Sequence, residues 1–256
     1  MIARQHRYGY IPDLKDERDH TYFLFHHITL PGATPNIVDL RPKCSPIEDQ
    51  KDLGSCTANA LAGALEFLEN KDGVKFKDAS RLFIYFNERV IENSIASDSG
   101  AMIRDGIKTL NKQGFCSEVS WPYKIANFSV RPPLTCYTEA LNNTISSYAR
   151  IMNFNDMVNC LANGFPFVAG ISVYESFESD AVAKTGMVPM PKKGESLLGG
   201  HAICVVGYDT TKKLFICRNS WGLGWGDKGY FYLPFAYAQS TSLTSDCWSI
   251  RAGKGI

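Results

Sequence analysis

The chain has 256 residues, enough to bury a substantial core in one or two domains. It is 45% hydrophobic and 21% charged, and its 27 basic and 26 acidic side chains leave a formal net charge of +1. That even balance, with no basic block, argues against nucleic acid or an anionic membrane as a partner, and no apolar run reaches the length that crosses a bilayer. The opening Met1-Ile2-Ala3-Arg4-Gln5-His6-Arg7-Tyr8 has no signal-peptide core, so a cytoplasmic protein, or one released by a non-standard route, is expected.

Residues 1–38 read as an arm. They are polar, are punctuated by Pro12, Pro31, Gly32 and Pro35, and lack an apolar face between Asp13 and Asp19. Such a segment orders only where Tyr8, Tyr10, Ile11, Tyr22, Phe23 and Phe25 find a surface. From Thr57 to about Asn70, Ala58, Leu61, Ala64, Leu65 and Leu68 recur at helical spacing, and Asp72-Gly73 is a stop signal. Helices are also expected over Ser80–Glu92, over Ile103–Lys112 before Gly114, and over Asp156–Leu161 before Asn163-Gly164. The second half then turns to strands: Phe165–Tyr174, His201–Gly207, Leu214–Arg218 and Gly229–Leu233. Helices first and strands later predict an α+β chain with two lobes.

His201 is the only histidine after His27, so any imidazole chemistry in the body of the chain falls to it or to an arm histidine that reaches it. Cys56 stands directly before the first helical pattern, where unpaired backbone N–H groups and the helix dipole favour a thiolate. Gln50 is close enough in sequence to supply an amide N–H beside that of Cys56, a donor pair suited to a tetrahedral oxyanion. The Asn219 amide oxygen could accept a hydrogen bond from one ring nitrogen of His201 and aim the other at sulfur. Each residue also has an ordinary reading: a buried cysteine, a satisfied core histidine, a turn asparagine, a solvated glutamine. The eight cysteines include no C-x-x-C pair, which argues against a structural zinc site; most read as small buried hydrophobes.

Taken together the motifs resemble the papain-like cysteine peptidases, in a bacterial-type form. Val38-Asp39-Leu40-Arg41 is similar to the start of the mature enzymes, and Gln50-Lys51-Asp52-Leu53-Gly54-Ser55-Cys56 to the nucleophile motif. Gly200-His201-Ala202 resembles the histidine motif, and Asn219-Ser220-Trp221-Gly222-Leu223-Gly224-Trp225-Gly226 the asparagine motif. The resemblance covers roughly residues 35–235. It implies a helical lobe over about 39–140 and an antiparallel β-barrel-like lobe over about 141–250, within a peptidase domain of 39–256, with the cleft between the lobes. It further implies Cys56 as nucleophile, His201 as acid/base, Asn219 as orienter, Gln50 as oxyanion donor and Trp221 as a shield over the His201–Asn219 bond. Ser99, Gly100, Met102, Gly170, Gly199, Ala202 and Trp221 are the implied substrate contacts. In the family, the main pocket takes the side chain two residues before the cut. Small residues at Gly170 and Ala202 predict a roomy apolar pocket preferring a bulky hydrophobic side chain.

By resemblance the chain is a cysteine endopeptidase working through a thioester, on protein or peptide substrates, with no metal or cofactor and as a monomer. The same parts would serve an amidase or transpeptidase, and an inactive binding protein of this fold is a further alternative. Leu53 stands where the family usually has a cysteine, and no partner for it occurs near Ser99-Gly100, so the usual disulfides are not expected. Cys116 and Cys136, flanking Trp121-Pro122-Tyr123, are the first pair to test for a bridge. The arm, far shorter than the long propeptides of the family, either crosses the cleft and damps activity or packs outside as a belt.

Overall fold

The computed structural model describes residues 6–22, 34–73 and 77–251. Phe23, Phe25, His26, His27, Pro31 and Gly32 of the arm lie outside the described residues.

The long helix α1 (Cys56–Asp72) is buried along most of its length, including the polar Thr57, Asn59, Glu66 and Glu69. A helix buried on nearly every side belongs to a core and not to a surface. It ends where Gly73 takes a left-handed conformation (φ 69°), which glycine adopts without a Cβ clash. Helices α2 (Arg81–Ile91), capped by the Ser80 side chain on the Phe83 N–H, and α3 (Ile103–Lys112) pack against it. A short α4 (Leu134–Ala140) follows Pro133.

The strands β4 (Ser147–Ile151), β5 (Phe167–Tyr174), β6 (Leu197–Asp209), β7 (Leu214–Arg218), β8 (Tyr230–Pro234) and β9 (Thr244–Arg251) form one antiparallel sheet in the order β4-β9-β5-β6-β7-β8. A short β2 (Ile37–Asp39) joins it along β6, so the chain touches the sheet before it builds the helices. Alternation along β6 sorts the two cores. Ala202, Cys204 and Val206 pack with Leu61, Leu65 and Leu68 of α1, while Ile203 and Val205 pack with Phe167, Phe215 and Phe231 on the other face. The result is an α+β molecule with a helical layer against one face of a sheet.

The expected elements are present, with α5 (Phe154–Ala162) capped by Asn153. Others went unread, among them α4, α6 (Asp180–Thr185), α7 (Phe235–Gln239), β2, β4 and β9. The helices are too short to show a period. In β9 the polar Ser245, Asp246 and Ser249 break the apolar run. The arm is also more regular than expected: β1 (Tyr10–Ile11) pairs in parallel with β3 (Ala101–Met102), and Tyr8, Tyr10 and Tyr22 are buried.

Candidate active site

Cys56 is the first residue of α1 and is fully buried. Burial pushes its thiol up to about 11, against backbone hydrogen bonds from Ala202 and Gly9 that favour the thiolate. Beside it, Gln50 is held rigidly. Its N–H donates to the Ser220 carbonyl (2.8 Å), and its Oε1 accepts from the Ser220 hydroxyl (2.6 Å). That fixes Nε2 as the end facing the cleft, where it donates to the Leu53 carbonyl (2.9 Å) and the Arg7 carbonyl (3.0 Å). Ser220 was not singled out from the sequence; its partner lies 170 residues away.

His201 projects from β6 and is also fully buried. Its Nε2 lies 2.8 Å from Asn219 Oδ1, which also accepts the Ser220 N–H at 2.9 Å. That second bond identifies the asparagine oxygen, so Nε2 carries the proton and donates. Nδ1 has no hydrogen-bond partner among the described residues. The Trp221 indole stacks on the imidazole at 4.7 Å between centroids, backed by Phe177 and Trp225. Burial pulls His201 down to about 4, opposed by the Asn219 bond.

The arm occupies the cleft. His6 stacks on Trp221 at 3.9 Å, and its Nδ1 meets Glu178 Oε2 at 2.8 Å. The Tyr8 hydroxyl donates to the other Glu178 oxygen, and its ring meets His201 edge-on at 6.1 Å. Gly9 passes so close to Gly54 that a Cβ on it would fall 1.7 Å from the Gly54 carbonyl oxygen. Its own carbonyl accepts the Ala101 N–H at 2.7 Å. The ring of Tyr10 lies on Gly170, where a Cβ would sit 2.0 Å from Tyr10 Cζ.

Of the implied substrate contacts, Gly100, Gly170 and Gly199 face the arm, Met102 pairs with Ile11, Ala202 reaches the Cys56 sulfur and Trp221 meets His6. Ser99 does not join them; its hydroxyl turns to Ser94 within its own loop. The pocket over Gly170 is not purely apolar as expected, because its far end carries Ser245 and Asp246. Glu178, Ser245 and Asp246 escaped the sequence reading, since only the fold brings β9 and the turn after β5 to the cleft. All eight cysteines are free, although burial and mutual contact raise Cys116 beside Cys136. Among the described residues, Glu48, Glu66 and Asp78 bring carboxylate oxygens within 4.8 Å of one another, but Glu48 is paired to Arg81 and Glu66 accepts from Ser45 and Ala79.

Residues 34–249 match the model of the papain family of cysteine proteases. The chain is 44% identical, over 95% of its length, to an uncharacterized peptidase C1-like protein of Acanthamoeba polyphaga mimivirus, and spans 86% of it. Cysteine proteinase 3 of Entamoeba histolytica is 29% identical over 78% of the chain, which spans 63% of that protein. The crystal structure of xylellain, a cysteine protease from Xylella fastidiosa, matches with a TM-score of 0.89 and 41% identity, covering 99% of this chain and 100% of that one. Procathepsin B from Trypanosoma congolense, 18% identical over 96% of this chain and 86% of its own with a TM-score of 0.75, shares the fold.

Proposed function

The chain belongs to the papain family of cysteine proteases, and from that premise we propose that it is an endopeptidase acting through Cys56, His201, Asn219 and Gln50, with its own arm as inhibitor. One observation carries the reading: a peptide carbonyl, that of Arg7, rests 3.0 Å from Gln50 Nε2, two residues before the Gly9 backbone that bonds the Cys56 sulfur. A cleft that grips one peptide carbonyl there can grip another.

His201 Nδ1 takes the thiol proton, and the Cys56 sulfur attacks the scissile carbonyl carbon. Charge gathers on the carbonyl oxygen, where Gln50 Nε2 and the Cys56 N–H donate. As the C–N bond breaks, His201 returns the proton to the leaving amine. Water, deprotonated by His201, then attacks the thioester; the acid departs and the thiol is restored. Asn219 keeps Nε2 protonated, which leaves Nδ1 as the basic nitrogen. Trp221 keeps water off that bond.

The arm lies in this cleft with the wrong polarity. A substrate with its side chain in the Gly170 pocket reaches Cys56 with rising residue number, whereas the arm runs from Tyr10 in that pocket down through Gly9. The sulfur therefore meets the Gly9 N–H and not a carbonyl carbon. The neighbouring β1–β3 pairing is parallel for the same reason. Burial beneath the arm also holds thiol and imidazole neutral, which suits a resting state.

The test uses the full-length chain. In Gly9→Val the new side chain collides with Gly54, so the arm leaves; an epoxysuccinyl thiol-protease inhibitor then labels Cys56 stoichiometrically and a generic peptide substrate is cut. Labelling lost in the added Cys56→Ser change is the expected control. A displaced arm with neither labelling nor cleavage refutes the reading, and amide products formed with an added amine would assign the acyl group to transfer instead.

A further inference from the structure

We propose that Asp246, assisted by Ser245, makes the Gly170 pocket selective for tyrosine, so that the preferred substrates are peptides carrying Tyr two residues before the cut. The inference rests on the peptidase reading above and adds a substrate class to it.

The arm shows what the pocket accommodates. The Tyr10 ring fills the space that Gly170 leaves open, and its hydroxyl reaches β9. There it meets Ser245 Oγ at 2.7 Å and donates to Asp246 Oδ2. Asp246 is only 8% exposed, so its carboxylate depends on protein partners. Those partners divide cleanly between arm and body. Arg150 of β4 donates to Oδ1 at 2.7 Å, while Oδ2 takes the Tyr10 hydroxyl and the Asp13 N–H at 2.7 Å.

When the arm departs, Arg150 stays and both donors to Oδ2 go. The charge of Asp246 remains balanced, but Oδ2 faces the emptied slot without the two donors that the arm supplied. A substrate tyrosine restores that bond. Phenylalanine fills the slot equally well yet buries the oxygen unsatisfied, the situation in which a hydroxyl-binding site rejects the analogue lacking the hydroxyl. Arginine or lysine brings a positive charge towards Arg150, which at that point has also lost Asp13 and Asp19, and towards Arg104, which has lost Asp19. The floor therefore calls for a neutral donor, not a cation. An aliphatic side chain supplies neither ring nor donor.

The experiment uses the full-length chain carrying Gly9→Val and Tyr10→Ala, which dislodges the arm and empties the slot. Four fluorogenic peptides differ only in Tyr, Phe, Leu or Arg two residues before the cut. The expected kcat/KM for Tyr exceeds that for Phe by at least about tenfold, with Arg and Leu lower still. Adding Asp246→Ala brings Tyr and Phe within about twofold of each other, Phe turnover serving as the control for folding. Equal cleavage of Tyr and Phe in the parent, a preference for Arg, or a Tyr advantage that survives Asp246→Ala overturns the proposal. Affinities of the Tyr and Phe peptides for the Cys56→Ser form are read in parallel. Tighter Tyr binding without any cleavage or labelling would refute the peptidase reading and keep the pocket assignment; equal rates with normal labelling would do the reverse.

Discussion

At the scale of single residues the site divides into groups that react and groups that hold them. Gln50→Ala removes one oxyanion donor and should lower kcat by about 100-fold with little change in KM, measured on arm-displaced protein. Ser220→Ala removes the hydroxyl that fixes the Gln50 amide. It should lower kcat less, since the Ser220 carbonyl still holds the Gln50 N–H. His6 poses a sharper question, because it brings a second imidazole into the cleft. It stacks on Trp221 and its Nδ1 is engaged by Glu178, so that nitrogen does not serve as the base. His201→Ala should therefore abolish turnover, whereas His6→Ala should leave the reaction intact and raise Cys56 labelling by loosening the arm. Retained turnover in His201→Ala would contradict this assignment.

At the scale of elements, the strand β1 decides whether the thiol is available. Alkylation needs the thiolate, and under the arm Cys56 is held up near 11 by burial, so labelling of the unmodified chain should climb steadily into the alkaline range. Opening the cleft rehydrates both groups, which lowers the thiol and raises His201 from about 4. The alkylation profile of Gly9→Val should shift towards neutral pH, with a rate at pH 7 at least about tenfold higher. Superimposable profiles would mean that the buried helix terminus, not the arm, sets the thiol. The long elements were legible because α1, β5 and β6 carry sustained apolar patterns beside glycine stops. Cys56, His201, Asn219 and Gln50 were legible because few residue types can do that chemistry and they sit at recognisable turns. Asp246 and Glu178 were not. Each lies more than 160 residues from the arm tyrosine it binds, and no local pattern encodes such a contact. Part of the polar character of β9 follows from the same cause, since Ser245 and Asp246, which meet the arm, interrupt its apolar run.

For the whole molecule, the arm acts as a strap as well as a plug. Asp19 Oδ2 accepts from Arg104 of α3 at 2.6 Å and from Arg150 of β4 at 2.9 Å, joining the helical layer to the sheet through one carboxylate. Asp13 extends the cluster: its Oδ2 meets Arg150 and the Trp248 indole N–H, each at 2.8 Å, while its Oδ1 accepts the Arg104 N–H. Burial and the neighbouring Asp246 raise Asp13 to about 6 despite these donors, so deprotonation opposes docking. This group alone makes the strap tighter below its docked pKa and looser as pH rises through 4 to 6. Asp19 for its part holds two guanidinium groups at once, those of Arg104 and Arg150. Removing one partner from a largely buried pair typically costs a few kcal/mol, and Arg104 is almost wholly enclosed. Asp19→Ala should therefore cost about 2 kcal/mol, lowering Tm by roughly 5 °C for a domain of this size. Glu17→Ala is the matched control, since the Lys15–Glu17 pair is 84–89% exposed and should shift Tm by no more than about 1 °C. The strap predicts a second reading from the same sample: Asp19→Ala should also speed Cys56 labelling, because the clasp and the plug belong to one segment. A lower Tm with unchanged labelling would separate the two roles and leave the plug to its own contacts, those with Glu178, Asp246, Gln50 and β3.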